Sequence, residues 1–388
     1  MFIPRLGYAQ HKLVDSLAAE GARCTAASLY YTHANPELAL IPATARLGVV
    51  LDPMTHIRER PLAARAPIYR AQPWGRAAAA FDPDRSSISD VELEQLATDP
   101  IELQRGRGAT LMLTSYHVAA SGGTRGRDLD LLLAEVGISH FRRERIDEPP
   151  EHATIAVPRE IYATLAIRVQ DLHDAQSRRR LAEAYLALES DGLWVKLFGF
   201  HEAADPRDIQ VGASFLRELS EGGRALVSDG AGQLHLGLLA LNVSASIGIA
   251  DSERCRYPTD WKRASAGSES KGRSRNAYHP SFMRSFKLGG DPSRKAFAAS
   301  RCRCGQHPPE QPPTHTEVGP HAAVVRMRQA ADALDGDGAE RRECVLASAT
   351  KATWAEKDAG IPSRGVLGAL TAVFTGWDAA PSRVASSA

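Results

Sequence analysis

The sequence lacks an excess of either charge, a disulfide framework and a long apolar run. Its 47 Lys and Arg residues are balanced by 46 Asp and Glu residues, so the overall charge indicates neither a nucleic-acid nor a membrane partner. Five cysteines, an odd number without framework spacing, argue against a secreted disulfide scaffold. No apolar run reaches the roughly 18 residues of a membrane span, and the first residues lack the apolar core of a signal peptide. We therefore expect a cytoplasmic protein without a membrane partner.

Short apolar runs, each bounded by turn residues, alternate with amphipathic stretches between about residues 10 and 250. Buried parallel strands read as short continuous apolar runs, so this alternation predicts an α/β domain. Seven or eight such units in about 250 residues favour a TIM-like (β/α)8 barrel over a doubly wound sheet, although periodicity does not exclude the latter. The predicted strands are 26–31, 47–51, 110–116, 153–157, 193–198, 225–228 and 244–249, and the predicted helices are 89–98, 175–189, 208–221 and 233–241.

The composition changes at residue 254. Residues 254–303 carry thirteen Lys or Arg residues against three acids, with aromatic residues between them. Cationic side chains neutralise phosphates and aromatic rings stack on exposed bases, so the segment predicts contact with nucleic acid. The alternative is that it forms a solvated basic loop without a nucleic-acid partner. The candidate contact residues are Lys262, Arg263, Arg273 and Arg275.

Beyond the basic segment the sequence predicts helices at 321–334, 339–351 and 364–374, followed by a small, polar tail. We accordingly divide the chain into an α/β barrel at 1–253, a basic and metal-binding subdomain at 254–334, and a C-terminal helical extension at 335–388. The sequence leaves the oligomeric state open, and a homodimer is compatible with it.

Two cysteines and a histidine stand close together at Cys302, Cys304 and His307, with His315 and His321 further along. Thiolate and imidazole are the usual zinc ligands, and a structural zinc site needs four of them. Cys302, Cys304 and His307 with either His315 or His321 would complete such a site. The sequence therefore predicts structural zinc, placed directly after the last strand of the barrel.

Three acidic residues follow predicted strands: Asp52, Asp229 and Asp251. The carboxyl ends of barrel strands form the active-site face, where a carboxylate can attack an anomeric carbon or move a proton. Each could instead be an ordinary turn or helix-capping residue. Lys196 lies within an apolar strand, where its ammonium group requires a partner, and we take it as a candidate substrate-binding residue.

Glycines at Gly230 and Gly232, beside Asp229, favour a close approach to a ligand. Because a helix is predicted to follow, this loop could also hold a phosphate at the helix N-terminus. A phosphate held there would be typical of a phosphate- or flavin-binding barrel enzyme.

The Cys302-x-Cys304-x2-His307 motif, followed by a helix that opens with His321, resembles the zinc subdomain of the tRNA-guanine transglycosylase superfamily. His307 stands where that family has a third cysteine. Residues 230–253 resemble the family's last strand–helix–strand unit. The catalytic motifs depart further, since Asp52 is not followed by Ser-Gly-Gly and residues 196–200 replace the family's Gly-rich base-contacting loop.

The resemblance implies a barrel that exchanges or excises a purine or deazapurine base in a nucleic acid, tRNA being typical of the family and DNA an alternative. Asp251 or Asp229 would then attack the ribosyl carbon, and Asp52 would recognise the base or move its proton. Two other functions stay open: a phosphate- or flavin-binding barrel enzyme acting on a small metabolite through Gly230 and Gly232, and a non-catalytic barrel that binds nucleic acid.

Overall fold

Eight parallel strands close into a barrel, as the sequence predicts. The structure, a computed structural model, describes residues 1–7, 10–29, 45–55, 89–117, 124–147, 160–249 and 276–380. The barrel strands are β1 (Phe2–Leu6), β2 (Cys24–Ser28), β3 (Gly48–Asp52), β4 (Leu111–Leu113), β5 (Glu160–Arg168), β6 (Gly192–Phe198), β7 (Ala225–Asp229) and β8 (Ser244–Gly248). The first strand closes the ring, because β1 pairs in parallel with both β2 and β8.

Alternate residues of the strands face two different cores. The inner one gathers apolar side chains from β1 to β7 inside the barrel, namely Ile3, Cys24, Ala26, Val50, Leu111, Leu113, Tyr162, Trp194 and Val227. The residues between them belong to the larger core under the surrounding helices, as Val49, Ala163 and Val195 do. We call this larger core the main core. This period of two decides which strand residues reach the interior.

The helices between the strands are α1 (Val14–Ala19), α2 (Asp90–Gly106), α3 (Thr124–Asp147), α4 (Ala175–Ala187), α5 (Pro206–Ser220) and α6 (His235–Ala240). Three of them begin at a side-chain cap: Ser89, Asp174 and Asp205 each accept a hydrogen bond from a backbone N–H of the following turn. These caps explain why the sequence locates the helix starts well.

A subdomain follows β8. It contains the antiparallel hairpin of β9 (Asn276–His279) and β10 (Arg284–Lys287), and then α7 (Asp291–Ala299). The cysteine-containing loop leads into α8 (Val318–Asp332), which packs against α1 and places Ala323 and Met327 in the main core. Subdomain and barrel are therefore joined by a shared helix.

The last described helices are α9 (Gly338–Asp358) and α10 (Val366–Ala379). They also add apolar side chains to the main core, Ala349 from α9 and Leu370 and Val373 from α10, and α10 lies along α5. Within the described parts of the chain, no helix has both the length and the hydropathy needed to cross a bilayer.

Two barrel strands form where the sequence analysis predicts none, and β4 covers only three of the seven residues predicted at 110–116. The sequence analysis assigns no strand to Phe2–Leu6, which forms β1. It also places a strand at 153–157, which lies outside the described residues, whereas β5 is formed by Glu160–Arg168. Pro4 explains the first omission, because proline lacks the N–H that a central strand normally donates.

Candidate active site and metal-binding group

Four charged side chains meet inside the carboxyl-terminal half of the barrel: Arg5 on β1, Asp52 on β3, Lys196 on β6 and Asp229 on β7. Each stands two positions after an apolar residue of the inner core, the pairs being Ile3 and Arg5, Val50 and Asp52, Trp194 and Lys196, and Val227 and Asp229. The strand alternation that builds the core therefore also directs these charges inward. We call the four residues the charge tetrad.

Each cation of the tetrad contacts both anions. Lys196 Nζ lies 2.8 Å from Asp52 Oδ2 and also donates to Asp229 Oδ2. Arg5 Nη1 lies 3.0 Å from Asp52 Oδ2, while Arg5 Nε, at 3.2 Å, and Nη2 donate to the two oxygens of Asp229. Two positive and two negative groups balance, which allows burial of charges that would be very costly alone.

Neutral groups also donate hydrogen bonds to the two carboxylates. The Tyr116 hydroxyl donates to Asp52 Oδ1 at 2.7 Å, and the Met54 backbone N–H reaches the same oxygen at 3.0 Å. Trp194 Nε1 donates to Asp229 Oδ2 at 3.1 Å. Asp52 is fully buried and Asp229 nearly so, whereas 15% of the Arg5 side chain is exposed. Arg5 is therefore the member of the tetrad that is most accessible from the mouth of the barrel.

The electrostatic environment fixes the protonation of two groups. Burial alone would raise the pKa of Asp229, but the charges of Arg5 and Lys196 together outweigh it and hold that pKa below its usual value. Burial, reinforced by the neighbouring Asp52 carboxylate, raises the pKa of Tyr116 well above its usual value. At neutral pH the site thus contains an ionised carboxylate at Asp229 and a protonated phenol at Tyr116.

Tyr116 is held by its backbone. Its N–H donates to Thr55 Oγ1 at 2.8 Å, and the Thr55 hydroxyl donates in turn to the Tyr116 carbonyl at 2.5 Å. The next residue, His117, contacts the buried Asp130 of α3 through its backbone N–H, at 2.8 Å, and its ring Nδ1, at 3.0 Å. Burial raises the pKa of Asp130 well above its usual value, although the His117 N–H bond opposes this rise.

The two predicted loop glycines both need their backbone freedom, with φ of +78° at Gly230 and +57° at Gly232. Two N–H groups in and beside this loop have partners within the protein. The Gly230 N–H donates to the Ser246 carbonyl at 2.7 Å, and the Gln233 N–H donates to the carboxylate of Glu202 at 3.1 Å. An anion would compete with Glu202 there, and α6 spans six residues only. These two N–H groups are therefore already engaged within the protein.

Cys302, Cys304, His307 and His321 come together in one group that could hold a metal ion, with all four ligand atoms within 4.8 Å of one another. His321 Nδ1 lies 3.7 Å from Cys302 Sγ, 3.3 Å from Cys304 Sγ and 3.0 Å from His307 Nε2. Around a tetrahedral zinc ion with bonds of about 2.0–2.3 Å, ligand atoms lie roughly 3.3–3.8 Å apart. The four residues are therefore close to the geometry that such an ion requires.

The imidazoles present the correct nitrogens. His321 Nε2 donates to the Tyr278 carbonyl, and His307 Nδ1 lies 2.9 Å from the Pro308 carbonyl. With protons on these nitrogens, His321 Nδ1 and His307 Nε2 are left as acceptors facing the group. The hydrogen bond between the two thiols lowers the pKa of Cys304 and raises that of Cys302, so it favours a thiolate, the form that a metal binds, at Cys304.

Local structure explains why these residues converge. The Cys302 N–H donates to the Pro309 carbonyl at 2.9 Å, and Gly305 turns the loop between them with φ of +75°. His321 lies in the first turn of α8, which begins at Val318, three residues earlier than predicted. His321 rather than His315 is the fourth member of the group.

Five of the predicted site residues cannot be placed in the site. Asp251, Lys262, Arg263, Arg273 and Arg275 lie outside the described residues. Sequence reasoning did not select Arg5 or Trp194, although both touch the tetrad. A charged residue two positions after a buried apolar one in a barrel strand is the signal that would have found Arg5, once β1 was recognised.

No protein-family model matches this chain, and no curated protein is significantly similar to it.

Proposed function

We propose that this barrel is a transglycosylase-like enzyme that exchanges or excises a base in a nucleic acid, either tRNA or DNA. The observation that carries the proposal is the pair of buried carboxylates, Asp52 and Asp229, that share one ammonium group at the carboxyl end of the barrel. Active sites of TIM barrels lie at this end. The resemblance of the metal-binding segment after β8 adds the substrate class.

The proposed chemistry needs one carboxylate that is ionised and one polar group that binds the base. A carboxylate oxygen of Asp229 or Asp251 attacks the ribosyl C1′, the bond from C1′ to the base nitrogen breaks, and the base leaves with the electron pair. Asp52, beside the protonated Tyr116, binds the base and moves its proton. An incoming base or water then attacks C1′, loses a proton, and releases the carboxylate.

Lys196 and Arg5 have a supporting role in this proposal. Their charges keep Asp229 ionised, which a nucleophile requires, and they hold both carboxylates in fixed positions. Because Arg5 is the most accessible member of the tetrad, it is the one of these four groups that an entering nucleotide would meet first.

We further propose that the metal is zinc and that its role is structural. Two thiolates and two imidazoles are a ligand set that zinc favours, and four protein ligands leave no open position for a substrate. The bound ion would fix the subdomain against the barrel. Residues 254–303, with ten more basic than acidic residues, would contact the phosphates.

The test is incorporation of labelled guanine or a deazaguanine into tRNA and into double-stranded DNA. We expect Asp52→Asn and either Asp229→Asn or Asp251→Asn to reduce incorporation by about 100-fold or more. Asp171→Asn is the matched control, because this carboxylate follows β5 on the same barrel but bonds to Arg168, outside the tetrad.

Incorporation that survives each of the three Asn substitutions would contradict the catalytic assignment. Tight nucleic-acid binding without incorporation or base release would favour the non-catalytic alternative. A yellow protein with visible flavin absorption would favour the metabolite enzyme instead.

A further inference from the structure

We infer that Tyr278 is a positioning residue that couples the metal-binding group to two barrel segments, the loop that follows Asp229 at the end of β7 and the end of β8, which precedes Asp251 in the sequence. The inference rests on the proposed function only in treating these carboxylates as part of an active site. The coupling itself follows from contacts that one buried side chain makes in three directions.

The first contact leads to the metal-binding group. Tyr278 lies on β9 and is 1% exposed, and its carbonyl accepts the hydrogen bond from His321 Nε2. A hydrogen bond to the outer nitrogen of a ligating histidine fixes the tautomer and the orientation of its ring. A metal held by His321 therefore also fixes the backbone at Tyr278.

The second contact leads to the loop after β7. The Tyr278 hydroxyl lies 2.7 Å from Gln329 Oε1 and 3.1 Å from Gln233 Oε1. Its single proton is shared between these two amide oxygens, and Gln329 is fixed in turn because its NH2 group donates to the Pro280 carbonyl. The hydroxyl thereby holds the Gln233 side chain through its amide oxygen.

Gln233 is a suitable anchor for the loop of residues 230–234. It lies four residues after Asp229, it is 1% exposed, and its backbone N–H donates to Glu202. Fixing its side chain through Tyr278 limits the movement of residues 230–234. This loop continues directly from the end of β7, so its order bears on the position of the Asp229 carboxylate.

The third contact leads to the end of β8. The Arg326 guanidinium lies 3.9 Å from the centre of the Tyr278 ring, and Arg326 Nε donates to the Ile249 carbonyl at 3.1 Å. Ile249 is two residues before Asp251. A cation held on an aromatic ring in a buried position is a substantial interaction, so the ring of Tyr278 also helps to fix this strand end.

The experiment measures amide hydrogen exchange with and without metal. Its reporters are the N–H groups of Gly230, Gln233 and Leu234, which donate to Ser246, Glu202 and Ala231. In the wild-type protein, we expect removal of zinc by a chelator to speed exchange of this loop about tenfold. In Tyr278→Phe, which keeps the ring and the carbonyl, zinc content stays the same. The loop exchanges about 3- to 10-fold faster even with zinc bound, and chelation changes it less than twofold.

Tyr185→Phe is the matched control, because it removes another buried hydroxyl, on α4 outside the barrel. It should keep the full effect of zinc on the loop. Gln233→Met tests the same coupling from the loop side if Tyr278→Phe fails to fold, and it too should abolish the response to zinc.

Wild-type loop exchange that is insensitive to zinc would overturn the inference, and so would a full zinc response in Tyr278→Phe or Gln233→Met. None of these measurements requires catalysis. A protein that shows the coupling but no base exchange would therefore refute the proposed function and leave the role of Tyr278 intact.

Discussion

At the scale of single residues, the charge tetrad is the feature with the largest energetic consequence. Lys196 is the ammonium shared by Asp52 and Asp229. We expect Lys196→Met to leave Arg5 as the remaining cation of the tetrad and to lower the free energy of unfolding by about 3–5 kcal/mol, because removing one partner of a buried ion pair leaves a buried charge uncompensated. Urea unfolding at pH 7 measures this loss.

The same substitution should change the response to acid. In the wild type the lowered pKa of Asp229 contributes stability above the usual pKa of an Asp, and this contribution is lost as pH falls through the lower folded pKa. Without Lys196 that contribution shrinks, so stability should fall less steeply with acid. Adding Asp52→Asn restores the charge balance and should recover part of the free energy. No recovery in the double variant would mean that the loss comes from packing.

At the scale of elements, the contact between α5 and α10 depends on one glycine. A Cβ at Gly376 would lie 2.3 Å from the Gln210 carbonyl oxygen, a backbone atom of α5 that cannot turn away. We expect Gly376→Ala to force the helices apart and to lower the free energy of unfolding by about 1–3 kcal/mol. Thermal or urea unfolding, followed by circular dichroism, gives the value.

Gly368 provides the control in the same helix. It is exposed, and a Cβ there would have no neighbour within 4 Å. Gly368→Ala should therefore stabilise α10 by up to about 1 kcal/mol through its helix propensity. Equal effects of the two substitutions would show that the close approach to α5 has no energetic weight.

Element by element, the sequence predicts best where local signals are strong. Helices α4 and α5 and the apolar strands β6, β7 and β8 lie close to their predicted positions, whereas α2 begins where predicted but continues to Gly106, eight residues beyond its predicted end. It fails at β1, where Pro4 breaks the usual strand pattern, and at β5, which was not recognised in Glu160–Arg168. Missing β1 also concealed Arg5, because its contacts with Asp52 and Asp229 join strands far apart in the chain.

At the scale of the whole molecule, the sequence predicts the barrel and the metal-binding group, but not how the two are joined. The spacing of Cys302, Cys304 and His307 is a local pattern, and it was enough to suggest a site. The choice of His321 over His315 and the contacts of Tyr278 depend on packing of the subdomain against α8, which no local pattern contains.

The metal should therefore act on the stability of more than its own loop. The four ligands lie in the subdomain, whose core also contains Phe297 and Val325, while α8 continues into the barrel core. We expect purified protein to hold one zinc ion per chain and the Cys302→Ser/Cys304→Ser variant to hold none. The free energy of unfolding of the variant should be lower by several kcal/mol, because a metal that binds only the folded state stabilises that state. Elemental analysis and thermal unfolding measure both effects.

Cys344→Ser is the control for this experiment, because Cys344 is an exposed thiol on α9, outside the metal-binding group. It should keep both the zinc ion and the unfolding temperature. The main core contains most of the buried apolar residues and does not include the ligands, so the double variant should retain its helical circular dichroism at low temperature while it unfolds earlier on heating. A variant that loses zinc without any change in unfolding would show that the group binds metal but does not hold the subdomain to the barrel.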